Sequence, residues 1–416
     1  AGKVVIRATD NVLLDGEDTQ GRVSGVGSQV ESGAKGDSGG VEIESGSLSL
    51  INGAQITAST RGEGDAGKVV IRATDNVLLD GESTQGFGSG VFSRVASEAK
   101  GNSGGVEIES GSLSLMNGAG ISASTRGEGD AGKVVIRTTD SVLLDGEDTQ
   151  GFSSGVYSAV ESGAKGNSGG VEIESGSLSL TNGAVINVST FGEGDAGKVV
   201  IRATDNVLLD GETRQGFVSS VVSQVASEAK GNSGGVEIES GSLSLMNGAG
   251  ISASTRGEGD AGKVVIRATD NVLFDGEDSQ GFPSGVFSGV APEAKGNSRG
   301  VEIESGSLSL TNGAGISAET RSTGMAGDVR LNVTDFIQLS GDSAIRANTT
   351  AGGSAGDITL TTPELTLENG ANIATTTESS GKAGNITLQS HPTQENLTLN
   401  LAPRTSISAS TNSPFN

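Results

Sequence analysis

Residues 1–17 read AGKVVIRATDNVLLDGE, and residues 39–60 read GGVEIESGSLSLINGAQITAST. In both, large aliphatic residues alternate with small or polar ones. The first segment offers Val4 and Ile6, then Val12 and Leu14, with Val26 and Val30 after them. The second offers Val41 and Ile43, Leu48 and Leu50, then Ile56. Period-two alternation in short runs bounded by Gly, Asn and Asp is the pattern of strands with one buried face. Each segment therefore predicts three short strands and no helix.

Near-copies of the first segment open at Ala66, Ala131, Ala196 and Ala261, so the chain carries five units of 65 residues over 1–325. A shortened form follows over 326–416, as AGDVRLNVTD from Ala326, AGDITLTTPE from Ala355 and AGNITLQSHP from Ala383. These shorter spacings show that each 65-residue unit is double, with a long half (Ala1–Ser38 in the first copy) and a short half (Gly39–Asp65). A single three-stranded rung cannot bury its aliphatic face, so rungs must stack and supply one another's core. The expected fold is all-β: a single-stranded parallel β-helix, or β-solenoid, with three short strands per rung and 13 rungs. At ~4.8 Å per rung such a stack is ~60 Å long.

Laying Gly2 over Gly39 brings Val4 to Val41, Ile6 to Ile43 and Arg7 to Glu44. The last of these positions then runs Arg7, Glu44, Arg72, Glu109, Arg137, Glu174, Arg202, Glu239, Arg267, Glu304. The signs alternate. Like charges one rung apart repel, whereas opposite neighbours gain roughly 0.2–1 kcal/mol each. Charge alternation is thus expected to set rung order, until Asn332 in the tail leaves the ladder.

Composition suits this fold. Gly is 68 of 416 residues and Pro only 6, hydrophobic content is 33% and aromatic content 3%; thin aliphatic columns joined by tight turns need no more. The net charge of −24 disfavours nucleic acid, because no basic stripe could neutralise phosphates. There is no cysteine to staple the fold, and no apolar run of membrane-spanning length. The chain starts inside a repeat, and its last residues, NLTLNLAPRTSISASTNSPFN, keep the form of rung strands. It is expected to be a fragment of a longer protein whose export signals lie elsewhere.

The stretches AGDITLTTPELTLENGANIATTTESSGKAGNITLQS (355–390) and GGVEIESGSLSLINGAQITASTRGEGDAGKVVIRATDNVLLDGE (39–82) resemble the repeats of filamentous haemagglutinin-like exoproteins of the two-partner-secretion type, above all the cyanobacterial, S-layer-like variety. The resemblance covers essentially the whole chain in the form AGxIxLx…LxLxNGAxIxxxT. It implies a right-handed parallel β-helix, exported through a partner outer-membrane pore and displayed at the cell surface or released as an adhesin. The family's amino-terminal secretion domain is not in this sequence.

Several stretches imitate catalytic or binding motifs. GDSGG at 36–40 matches the surroundings of a serine-protease nucleophile, but the chain has one histidine, His391, and the later copies read GNSGG or GNSRG. Without a triad a turn between rungs is the expected reading. GEGDAGK at 62–68 starts like a P-loop but continues with Val69 into a strand, where Ser or Thr and a helix are needed. Calcium held by Glu63 and Asp65 would need ligands on successive rungs, and this turn recurs on alternate rungs only. The acidic cluster Asp15, Glu17 and Asp18 recurs at Asp80, Asp145, Asp210 and Asp275, which spreads it along the stack instead of building one site. No catalytic, cofactor-binding or metal-binding residue is assigned.

The units differ most in an insertion of the long rung: GRVSGVGSQV, GFGSGVFSRV, GFSSGVYSAV, GFVSSVVSQV and GFPSGVFSGV. It holds most of the aromatics, namely Phe87, Phe92, Phe152, Tyr157, Phe217, Phe282 and Phe287. With the valines pointing inward, Phe92, Tyr157 and Phe287 are expected to point outward as a sparse ridge, since strand neighbours face opposite ways. Such rings stack on sugars or pack on a partner; the plainer alternative is that each Phe covers the base of its own loop. The sequence thus predicts a non-catalytic structural or adhesive stalk segment of a large extracellular or surface protein. Its expected partners are cell-surface glycans, proteins or further copies of itself. The competing class is a carbohydrate-active β-helix enzyme, a polysaccharide lyase or hydrolase. If the register is right, Ile136→Asp lowers the melting temperature more than Glu172→Asp does; equal shifts would contradict it.

Overall fold

The computed structural model describes residues 1–378, 380–392 and 394–411. Among these there is no helix, and the chain is an all-β parallel solenoid. It divides into two compact units: residues 1–203 with Thr213–Phe217, and Thr204–Glu212 with everything from Val218 onward. The expected rung strands of the tail run to Ser406–Thr411; residues 412–416 of the 326–416 segment lie outside the described residues.

In the first unit the strands Val4–Arg7, Asn11–Asp15 and Gly25–Gly27 make one rung, and Val41–Ser45, Ser47–Ile51 and Gln55–Thr57 the next. Each strand pairs in parallel with its counterpart in the following rung. The register is the one that the aliphatic pattern predicts: Val4 on Val41, Ile6 on Ile43, Leu14 on Leu50 and Val26 on Ile56. Stacking produces columns of like side chains, such as Ile43, Ile71, Ile108, Ile136, Ile173 and Ile201, none of which has exposed surface. Burial of each stabilises by roughly 1.5–3 kcal/mol.

The second unit repeats the plan as far as its tail, where rungs of one short kind follow one another. First and second strands, which Gly46 alone separates in the first short rung, fuse into 11-residue strands at Val301–Thr311 and Val329–Leu339. These two pair with a register shift between Ser305 and Ser307, because the tail strand carries an extra residue there.

Short rungs turn on Asn-Gly pairs. Asn52, Asn117, Asn182, Asn247 and Asn312 all adopt φ of 53–56°, a left-handed conformation that Asn tolerates better than other side-chain-bearing residues. Each of these asparagines also donates from Nδ2 to an aspartate of the preceding long rung, at 2.7–2.8 Å: Asp15, Asp80, Asp145, Asp210 and Asp275.

The outer face carries the alternating ladder. Glu44 lies between Arg7 and Arg72, and Arg7 Nε donates to its carboxylate at 2.9 Å. A second acidic column, which the alternation did not reveal, runs beside it through Glu42, Glu107 and Glu172. Glu42 takes Lys3 as a hydrogen-bond donor and lies 3.8 Å from both Arg7 and Arg72. Glu107 is placed likewise by Lys68 and Arg137, and Glu172 by Lys133 and Arg202. The hydrogen bond from the lysine is the main cause that holds each of these three carboxyls below its ordinary value of 4.5. A depressed folded-state pKa contributes stability above the unfolded value and loses it as pH falls through the folded one. Melting temperature should therefore fall as pH drops below about 4.5. Glu107→Gln should melt a few degrees early at neutral pH and together with the parent near pH 2; an equal gap at both would contradict this.

Candidate functional site

Every long rung interrupts its second turn with a small hairpin loop. Antiparallel bridges close the five loops at Glu17 with Val23, Glu82 with Gly88, Glu147 with Ser153, Glu212 with Val218 and Glu277 with Pro283. At the second loop position stands a short acceptor: Asp18, Ser83, Asp148, Thr213 or Asp278. Its side chain accepts the N–H groups two and four residues later, as Asp148 does from Gln150 at 2.9 Å and Phe152 at 2.8 Å. Ser83 and Thr213 hold Phe87 and Phe217 in the same way, at 3.1 and 3.0 Å. The acceptor's own N–H then donates to the carbonyl of that fourth residue, 2.9 Å for Ser83 to Phe87 and for Asp148 to Phe152. A glycine with φ near 80° turns the tip, Gly86 and Gly216 among them.

The residue clamped at both backbone atoms is aromatic in four of the loops. Phe87, Phe152, Phe217 and Phe282 are 51%, 65%, 59% and 62% exposed. Arg22 holds this place in the first loop, where it pairs with Asp18 at 2.7 Å.

The other three predicted residues are placed differently, and the expected ridge of Phe92, Tyr157 and Phe287 is corrected. All three leave the sheet on the face opposite the buried valines, but Phe92 is only 8% exposed and Tyr157 and Phe287 are half-buried. Glycines are the reason for Phe92 and Tyr157. A Cβ on Gly90 would lie 2.2 Å from Phe92 Cζ, and one on Gly155 would lie 2.6 Å from the Tyr157 hydroxyl. The rings fold down onto these bare strands. Arg94 caps the Phe92 ring, its guanidinium carbon 3.8 Å from the centroid. Tyr157 donates to the Ser153 carbonyl at 3.2 Å, and burial pushes its pKa up to about 12. In the unit that has Val222 in place of an aromatic, Ser220 replaces the glycine.

Successive loops of the first compact unit touch. Glu17 Oε1 accepts from the Thr84 backbone N–H at 3.2 Å, Glu82 from Thr149 at 3.0 Å and Glu147 from Arg214 at 3.1 Å. The Arg214 side chain, hydrogen-bonded to Glu147, lowers that carboxyl's pKa. Gln215 Nε2 donates to the Gln150 carbonyl at 3.1 Å. Beneath each loop after the first lies the Asn-Gly turn of the short rung: a Cβ on Gly53 would sit 2.7 Å from the Phe87 carbonyl, and one on Gly118 2.4 Å from Asp148 Cβ. The signal for this arrangement is the recurring small acceptor four residues before the aromatic.

The imitated motifs resolve into structural bonds. Ser38 Oγ donates to the Ser28 carbonyl at 2.7 Å inside the solenoid, and Ser103 to Ser93 at 2.6 Å. Glu63 pairs with Lys35 at 2.6 Å, and Asp65 Oδ1 accepts the Asn102 N–H at 2.7 Å. Among the described residues no group of three or more His, Cys, Asp or Glu is placed to hold a metal, and no helix is long and apolar enough to cross a membrane. A polar cleft of about 350 Å³ in the second compact unit is lined by Glu319, Arg321, Arg346, Asn348, Thr350 and Glu378, with Asn348 donating to Glu319 at 3.2 Å. No protein-family model, curated protein or solved structure matches the chain.

If the acceptor clamps the aromatic, Asp148→Ala should speed amide hydrogen exchange at Gln150 and Phe152 at least tenfold. Asp148→Ser, which copies the second loop, should keep most of the protection. Unchanged exchange in the alanine variant would contradict the clamp.

Proposed function

We propose that the chain is a non-catalytic, structural and adhesive stalk segment of a large secreted or cell-surface protein. In keeping with the resemblance of its repeats, it would be a filamentous haemagglutinin-like exoprotein, exported through a partner outer-membrane pore and displayed outside the cell. The observation that carries this is the recurrence of one exposed phenylalanine on one clamped loop in four of the five units, over a framework that varies less than the insertions do. Weak identical contacts gain by number, because each bound loop raises the effective concentration of the next. Asp15 and its counterparts bind asparagine, Glu42 and Glu44 and theirs bind lysine or arginine, and Glu17, Glu82 and Glu147 each reach the next loop; acids spread along the stack in this way suit a scaffold better than the single acid–base centre of a lyase or hydrolase.

The test is adhesion of beads coated with the purified chain to cells and glycan surfaces, with polysaccharide viscosity followed in parallel. Adhesion should drop at least tenfold in F87A/F152A/F217A/F282A while viscosity stays constant. A steady fall in viscosity, or adhesion untouched by the four substitutions, would overturn the proposal.

A further inference from the structure

Resting on the adhesive reading, we propose that Phe87, Phe152 and Phe217 form a track for a neutral, extended β-1,4-linked polysaccharide of the cellulose or chitin class, lying parallel to the stack of rungs.

The spacing carries the argument. The three rings occupy equivalent loops of one compact unit, 65 residues and two rungs apart. Two rungs at ~4.8 Å each separate them by ~9.6 Å along the stack. In an extended β-1,4-linked chain each sugar is turned about half a revolution from the last, so the same ring face recurs with every second sugar. That disaccharide repeat is close to the spacing of the phenylalanines. Each ring can therefore meet an equivalent apolar sugar face without either chain bending. α-1,4-linked chains curl and β-1,3-linked chains wind, so their ring faces turn away from a straight row.

Rigidity and charge agree with this assignment. Both backbone atoms of each phenylalanine are clamped by the residue four positions earlier. Glu82 and Glu147 tie each loop to the next. Little freedom is left to lose on binding a stiff ligand. The three loops carry Glu82, Glu147, Asp148 and Glu212 against one cation, Arg214, which pairs with Glu147, in a chain of net charge −24; this excess of negative charge repels uronate or sulfated polymers and favours an uncharged one.

Retention of the whole chain on microcrystalline cellulose and on chitin is the test, with starch, curdlan (a β-1,3-glucan) and alginate for comparison. Cellulose or chitin should retain the chain at least tenfold more tightly than the other three. F87A/F152A/F217A should lose that preference with its melting temperature unchanged. F87W/F152W/F217W should keep or tighten it, and the corresponding leucine variant should not. Equal retention on curdlan or starch, or no effect of the alanine variant, would overturn the proposal. So would phenylalanine-dependent dimerisation without retention, which would assign the track to a second copy. Phenylalanine-dependent adhesion to cells without binding to cellulose or chitin would leave the stalk standing and remove this ligand alone.

Discussion

Hydrogen bonding between rungs allows a rise of ~4.8 Å, whereas packed layers of backbone with their side chains need ~10 Å. Loops at the same corner of every rung would overlap, and the chain relieves this by alternating two kinds of rung. A long rung carries the hairpin loop. The short rung before it turns at the same corner through Asn-Gly, and the bare glycine gives the loop room. The contacts of Gly53 with Ser83 and Phe87, and of Gly118 with Asp148, leave no space for a Cβ. Once loops recur on alternate rungs they stand near enough to stack, Glu82 on Thr149 and Glu147 on Arg214.

The same two-rung period organises the charges. Because long and short rungs carry different sequences, one can supply Arg7, Arg72 and Arg137 and the other Glu44, Glu109 and Glu174, so every arginine of the inner rungs meets a carboxylate above and below. Exposed pairs of this kind are individually weak. Their value lies in order, since a slip of one rung would set arginine over arginine. Aliphatic columns alone would tolerate such a slip, because Ile43, Ile71 and Ile108 are interchangeable.

Much of this was legible in the sequence because it is local and periodic. Val4 and Ile6 alternate with polar residues, the 65-residue spacing is constant, and the run from Arg7 to Glu304 changes sign at each step. What could not be read depended on neighbours a rung away or on how a side chain leaves its strand. Alternation correctly put Phe92 opposite Val91, but whether the ring stands up or lies down was decided by Gly90 and Arg94. The exposure of Phe87 follows from a bond to Ser83 that resembles any other polar contact in a loop. Glu42 gathers Lys3, Arg7 and Arg72 from adjacent rungs, a grouping that only the stacked register brings together.

If loop height imposes the double rung, whole units and half units are not equally dispensable. The most direct measurement compares thermal unfolding after removal of residues 66–130, one complete unit, with that after removal of residues 104–130, the short rung alone. The first deletion preserves the alternation and should leave a cooperative transition within a few degrees of the parent. The second brings the loops at 82–88 and 147–153 to ~4.8 Å spacing and sets Arg72 over Arg137, and it should abolish cooperative unfolding or lower its midpoint by more than ten degrees. Equal midpoints for the two deletions would contradict the account.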